Sequence, residues 1–169
     1  MPGRRIGIQR ASTSLSSTSV GLMALDLDHH LLQISLGILE NEISYVERGD
    51  TLTKAIEFLV HLSDVHFERE EHLMQEIGFP GFEPHKANHD IMRAWMDASL
   101  PELGSLRNPH YDDDVISYLY DWWDGHTDKE DKAYADYIHH RLDEAKRILD
   151  SLPRAELPGF LASAPFSGL

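Results

Sequence analysis

The chain has 169 residues, 41% of them hydrophobic and 26% charged, enough for one domain with its own core, and it has no apolar run near the roughly 20 residues of a membrane-spanning helix. It contains no cysteine, which excludes disulfides, zinc–thiolate sites, iron–sulfur clusters and thiol nucleophiles. The formal net charge of −14 repels phosphate backbones and anionic lipid, so neither nucleic acid nor a membrane is an expected partner.

Residues 1–20 are rich in Ser and Thr, carry Arg4, Arg5 and Arg10 without an acid, and show no apolar period. The Arg4-Arg5 pair is not followed by the apolar stretch of an export signal, so a disordered arm and a cytoplasmic location are expected. A bundle domain is expected over 21–150. Its first helix shows Leu22, Leu25, His29, Leu32, Leu36, Leu39, Ile43 and Val46 at alternating steps of three and four, and Gly49 stops it. The second has Asp50 as N-cap and a stripe of Leu52, Ile56, Leu59, Ser63, His66, Glu70, Leu73 and Ile77, ended by Gly78 and Pro80. The third begins near 81–84, carries Phe82, His85, His89, Met92 and Met96, and ends before Pro101 or near Gly104. The fourth starts within 112–114, where acids suit a helix N-terminus, and runs through Val115, Leu119, Trp122 and His126 towards Leu149. Pro153 and Pro158 finish it, and 151–169 form a tail without assigned structure. Four such helices with short connections predict an all-α, up-down-up-down antiparallel four-helix bundle.

Eleven histidines are far above ordinary usage, and their placement is informative. Each stripe carries histidine on its inward face: His29, His66, His85, His89 and His126, with Glu70 beside them. In His66/Glu70 and His85/His89 the two members are one turn apart on the same face. Burying six polar groups in one core is costly without a compensating charge, and a metal centre supplies it. Imidazole suits iron, copper, nickel and zinc, and a carboxylate can bridge two cations. On the fourth helix, spacing alone favours Glu130 over Asp131 as the partner of His126. Glu68, Glu71 and the remaining histidines (His30, His61, His72, His110, His139 and His140) are expected at the surface.

These residues fall into a known pattern. His66-Phe67-Glu68-Arg69-Glu70-Glu71-His72-Leu73-Met74 resembles the hemerythrin element H-F-x-x-E-E-x-x-M. Gly78-Phe79-Pro80, His85-Lys86-Ala87-Asn88-His89, Asp26-Leu27-Asp28-His29 and the stretch from Trp122 to Asp131 resemble that family's other elements, in order, over about residues 20–137. The resemblance implies a non-haem diiron centre: two iron ions (Fe2+/Fe3+) with an oxo or hydroxo bridge. It implies that His85, His89 and His126 bind one iron, that His29 and His66 bind the other and leave it an open position, and that Glu70 and Asp131 bridge them. The implied function is reversible dioxygen binding for transport, storage or delivery, without enzyme activity. The alternatives are an oxygen or redox sensor with an unknown protein partner, or a diiron enzyme acting on oxygen, peroxide or nitric oxide.

Phe67, Trp122, Trp123 and Thr127 are the candidates for the oxygen pocket. Three positions depart from the family pattern: Asp28 replaces a usual glutamine, Trp123 a leucine and Thr127 an isoleucine. The Trp123 ring is expected to narrow access, and the Thr127 hydroxyl to bring a proton to bound oxygen and shorten the life of the oxy form.

Overall fold

The structure, a computed structural model, describes residues 19–43, 50–104 and 109–154. The arm, except its last two residues, most of the tail and the stop at Gly49 lie outside this set. Every regular element among the described residues is helical: α1 (Met23–Ile43), α2 (Asp50–Glu76), α3 (Phe82–Ser99), α4 (Pro109–His126), α5 (Lys132–Ile138) and α6 (Leu142–Asp150). A 3-10 turn, Leu100–Glu102, extends α3. A five-residue π turn, Thr127–Asp131, joins α4 to α5, and a 3-10 turn, His139–Arg141, joins α5 to α6.

The helices end for local reasons. After α2, Gly78 adopts φ +68°. The Phe79 amide donates to the Met74 carbonyl at 2.9 Å and the Gly78 amide to the Gln75 carbonyl at 3.2 Å. This pairing uses the left-handed glycine to satisfy the last carbonyls. Tyr137 and Arg141 add side-chain donors to the carbonyls of Gly78 and Ile77. The fourth helix begins at Pro109, three residues before the acids at 112–114, because proline fits a first helical position that needs no N–H partner.

The core has two apolar clusters. One contains Leu32, Leu36, Leu59, Leu62, Phe67, Met92, Leu119 and Trp123, among others. The second contains Leu25, Leu73, Met74, Tyr134, Ile138 and Leu149. Along α1 the second cluster comes before the first; along α2 the order reverses. α3 passes from Phe82, packed on the second cluster, to Met92 in the first, and the α4–α5 segment reverses again. That alternation is the up-down-up-down antiparallel topology of a four-helix bundle. On every helix the ligand-type residues lie between the two clusters, so they form one polar layer across the bundle.

Leu59 is fully buried in the first cluster. Leu59→Ala should cost about 2–5 kcal/mol of stability, the usual range for a cavity left by a buried leucine, measured by urea denaturation.

Candidate metal centre

All seven residues of the polar layer are buried: His29, His66, Glu70, His85, His89, His126 and Asp131. They form two groups whose donor atoms lie within 4.8 Å of one another. One contains Glu70, His85, His89 and His126; the other contains His29, His66, Glu70 and Asp131. Glu70 belongs to both. Its Oε2 lies 3.4 Å from His66 Nε2 and 3.5 Å from Nε2 of both His85 and His89. Asp131 also faces both sides, with Oδ1 3.1 Å from His126 Nε2 and Oδ2 3.2 Å from His29 Nε2.

The π turn positions Asp131. An ordinary α-helix places residue i+4 on the face of residue i, whereas a π turn widens the coil towards a five-residue repeat. Glu130 and Asp131 therefore divide His126 between them. Asp131 meets Nε2 on the inner side, and Glu130 meets Nδ1 on the outer side at 3.1 Å. Spacing based on a regular helix pairs His126 with Glu130 and cannot anticipate the wider turn.

These side chains fit cations better than they fit one another. His89 Nε2 lies 3.0 Å from the Nε2 atoms of both His85 and His126. Nitrogens that face this closely share at most one proton per pair. Donors about 2.1 Å from a common ion at right angles stand about 3 Å apart. Among the described residues, neither ring nitrogen of His29 or His66, nor Glu70 Oε2, nor either Asp131 oxygen makes an oriented hydrogen bond. Buried polar atoms are normally satisfied, and a donor set of five imidazoles and two carboxylates suits two cations.

A second layer of residues holds the first. Tyr134, fully buried, donates its hydroxyl to Glu70 Oε1. Burial and the charges of Glu70 and Asp131 push its pKa well above the ordinary tyrosine value, so it remains a donor. Burial opposes charge on Glu70, but His66 and then His126, His85 and His89 hold its carboxyl well below the usual range. Glu71 lies 3.0 Å from His89 Nδ1 and accepts from Arg93 at 2.9 Å. Asn88 donates to Glu130 at 2.8 Å. Asp28 forms a buried ion pair with Arg69 and lies 3.9 Å from His66 Nδ1. The unusual carboxylate at position 28 thus has its countercharge on α2.

Sequence reasoning missed Tyr134, Arg69, Arg93 and Asn88. It also placed Glu71 at the surface with Glu68, whereas only Glu68 is exposed. Tyr134, three residues after Asp131, was the most accessible signal. The six histidines expected outside are all exposed.

A small cavity of about 20 Å³ adjoins His29, lined by Leu32, Gln33, Tyr120, Trp123, Asp124 and Thr127 among others. Trp123 and Thr127, two of the four pocket candidates, line this cavity. Phe67 and Trp122 stand apart from this cavity. Phe67 stacks on His89 and Trp123, with ring centroids 4.1 and 5.5 Å away. Trp122 stacks on His126 at 4.4 Å. The Thr127 hydroxyl donates to the Trp123 carbonyl at 2.6 Å. Its hydrogen is committed to the helix backbone, so the expected proton delivery from Thr127 loses its donor.

The inner and outer positions of the two carboxylates predict different mutant behaviour. Asp131→Ala should lose at least one of two bound cations. Glu130→Ala should keep both and weaken affinity by about 10–100-fold at most, as outer partners of metal-bound histidines do. Metal competition titrations with elemental analysis measure both, and loss of a cation from Glu130→Ala alone would reverse the assignment.

Residues 20–138 match the Hemerythrin HHE cation binding domain. The chain is 33% identical over 97 residues to a bacteriohemerythrin of Aquifex aeolicus (strain VF5), covering 55% of this chain and 70% of that protein. It is 32% identical over 88 residues to a bacteriohemerythrin of Methylococcus capsulatus (strain ATCC 33009 / NCIMB 11132 / Bath), covering 52% of this chain and 63% of that protein. A third, from Stenotrophomonas maltophilia (strain R551-3), is 25% identical over 129 residues, covering 76% of this chain and 82% of the relative. The buried histidine and carboxylate layer falls inside the matched span, and the chain belongs to the hemerythrin family of cation-binding domains.

Proposed function

We propose that this protein binds dioxygen reversibly at a diiron centre, as a carrier or store and not as an enzyme. The observation that carries the reading is the asymmetry of the polar layer. Three imidazoles converge on one side, while two stand on the other, one of which, His29, lines a small cavity. In this reading His85, His89 and His126 hold one iron, His29 and His66 hold the second, and Glu70 and Asp131 span both. Iron held by these residues would supply the coordination position and the electrons needed to bind dioxygen.

The protein's own residues set the conditions. Leu32 and Leu36 give the cavity an apolar side, and Trp123 fills space that a leucine would leave open. Tyr134 fixes one Glu70 oxygen, which keeps the bridging carboxylate from swinging to either side. The nitrogen-rich set, with only two carboxylates, favours reversible binding over cleavage of the O–O bond. Carboxylate-rich diiron enzymes use Glu and Glu-x-x-His ligands instead.

Iron-loaded protein should contain two irons per chain, and one zinc or none would overturn the reading. Reduced protein mixed with dioxygen should gain a visible absorption that vacuum removes, with the irons recovered as ferrous. Immediate conversion to the ferric form would indicate a sensor or an enzyme. Because the Thr127 hydroxyl is committed, Thr127→Ile should change the autoxidation rate by less than about twofold.

Removal of iron exposes the cost of the polar layer. Each buried unsatisfied group costs about 1–3 kcal/mol, against a total stability of about 5–15 kcal/mol for a domain. The iron-free protein should therefore melt at a lower temperature than the loaded protein. Equal melting temperatures would show that these side chains do not depend on a cation.

A further inference from the structure

Asp28 on α1 and Arg69 on α2 form an ion pair, and both are buried, at 4% and 2% exposure. Arg69 Nη1 donates to Asp28 Oδ2, while Arg69 Nε and Nη2 have no hydrogen-bond partner among the described residues. A pair of this kind adds little stability, because the cost of taking two charges out of water offsets their attraction. Stability alone does not explain its place in the core.

The same Asp28 Oδ2 lies 3.9 Å from Nδ1 of His66, which is fully buried. That is roughly 1 Å longer than a usual N–H···O bond, a gap that a small rotation of the ring closes. His66 Nε2 lies 3.4 Å from Glu70 Oε2, inside the polar layer. A neutral imidazole has one N–H and one lone pair, and an ionised carboxylate can only accept. Asp28 therefore calls for the proton on Nδ1 and leaves Nε2 its lone pair. An amide at position 28 could donate as readily as accept and would settle neither. Arg69 supplies the countercharge and fixes which way the carboxylate oxygen points.

We propose that Arg69 is a positioning residue: through Asp28 it holds His66 with Nδ1 protonated and Nε2 presented to a divalent cation on the two-imidazole side of the layer. The inference rests on the two-cation reading of that layer and assigns the pair to one side of it. On the three-imidazole side, His89 and His126 have their own outer acids, Glu71 and Glu130. Loss of the Asp28–Arg69 pair is therefore felt by one cation and not by both.

Zinc is the probe, because imidazole and carboxylate bind it and it does not change oxidation state. The full-length protein, freed of iron, should take up two zinc ions, and competition with a chelator gives both affinities. Arg69→Met strands the Asp28 charge. It should lower the melting temperature of the metal-free protein and weaken one zinc about 10–100-fold, the range for outer partners of metal-bound histidines. Asp28→Leu combined with Arg69→Leu removes both charges, so it should recover the melting temperature yet keep the weakened site. A mere clamp between the two helices would recover both. In zinc-loaded wild type labelled with 15N at histidine, the His66 Nδ1–H proton should resonate downfield of that of His29, whose Nδ1 has no partner among the described residues. This measurement stands even if the variants fold poorly. Full affinity at both sites in the double variant, an equal fall at both, or a His66 proton upfield of that of His29 would overturn the inference while leaving the metal centre intact. A wild type that takes up fewer than two zinc ions would overturn the two-cation reading with it.

Discussion

The fold is organised around two carboxylates, Glu70 and Asp131, buried at 0% exposure among five imidazoles. Neither oxygen pair can be left in an apolar core without compensation, because an isolated buried carboxylate costs far more than a domain can spare. The two apolar clusters lie on either side of this layer and together exclude water from it. Helix lengths, helix directions and the position of the irregular turn all serve to bring the seven side chains to one level.

The irregular turn is the least expected of these. A π turn gives up regular helical packing for a wider coil, and such turns concentrate at functional sites. Between His126 and Asp131 it places two consecutive acids on opposite sides of one imidazole. The inner acid joins the polar layer. The outer acid holds the ring from behind and is itself held by Asn88. A regular helix would bring Glu130 to that face and turn the shorter Asp131 away.

Support from behind recurs around the layer. Glu71 backs His89 and is fixed by Arg93, whose guanidinium also lies 5.0 Å from the centre of the Phe67 ring. Asp28 stands behind His66 and is paired with Arg69. Tyr134 holds Glu70. Each ligand-type side chain so backed has less freedom to rotate away, which lowers the entropy cost of gathering it at a cation. The wall is built from rings: Phe67 against His89, Trp122 against His126 and Trp123 over the cavity beside His29.

Much of this was legible in the sequence, because helical periodicity is a local property. Steps of three and four placed His29, His66, Glu70, His85, His89 and His126 on inward faces, and Gly78 and Pro80 marked the end of α2. The ligand-type residues are long polar groups on otherwise apolar stripes, so they stand out without knowledge of the fold. What the sequence could not decide depends on contacts between helices or on a departure from regular coil. The choice between Glu130 and Asp131 turns on the π turn, which no residue spacing announces. The partner of Asp28 lies forty-one residues away on another helix, and only packing brings Arg69 to it. The sequence shows the Thr127 hydroxyl but not its partner, and the carbonyl of Trp123, four residues earlier, takes it. Local pattern fixed which side chains face inward; tertiary packing decided which atoms of those side chains meet, because that depends on the distances between helices.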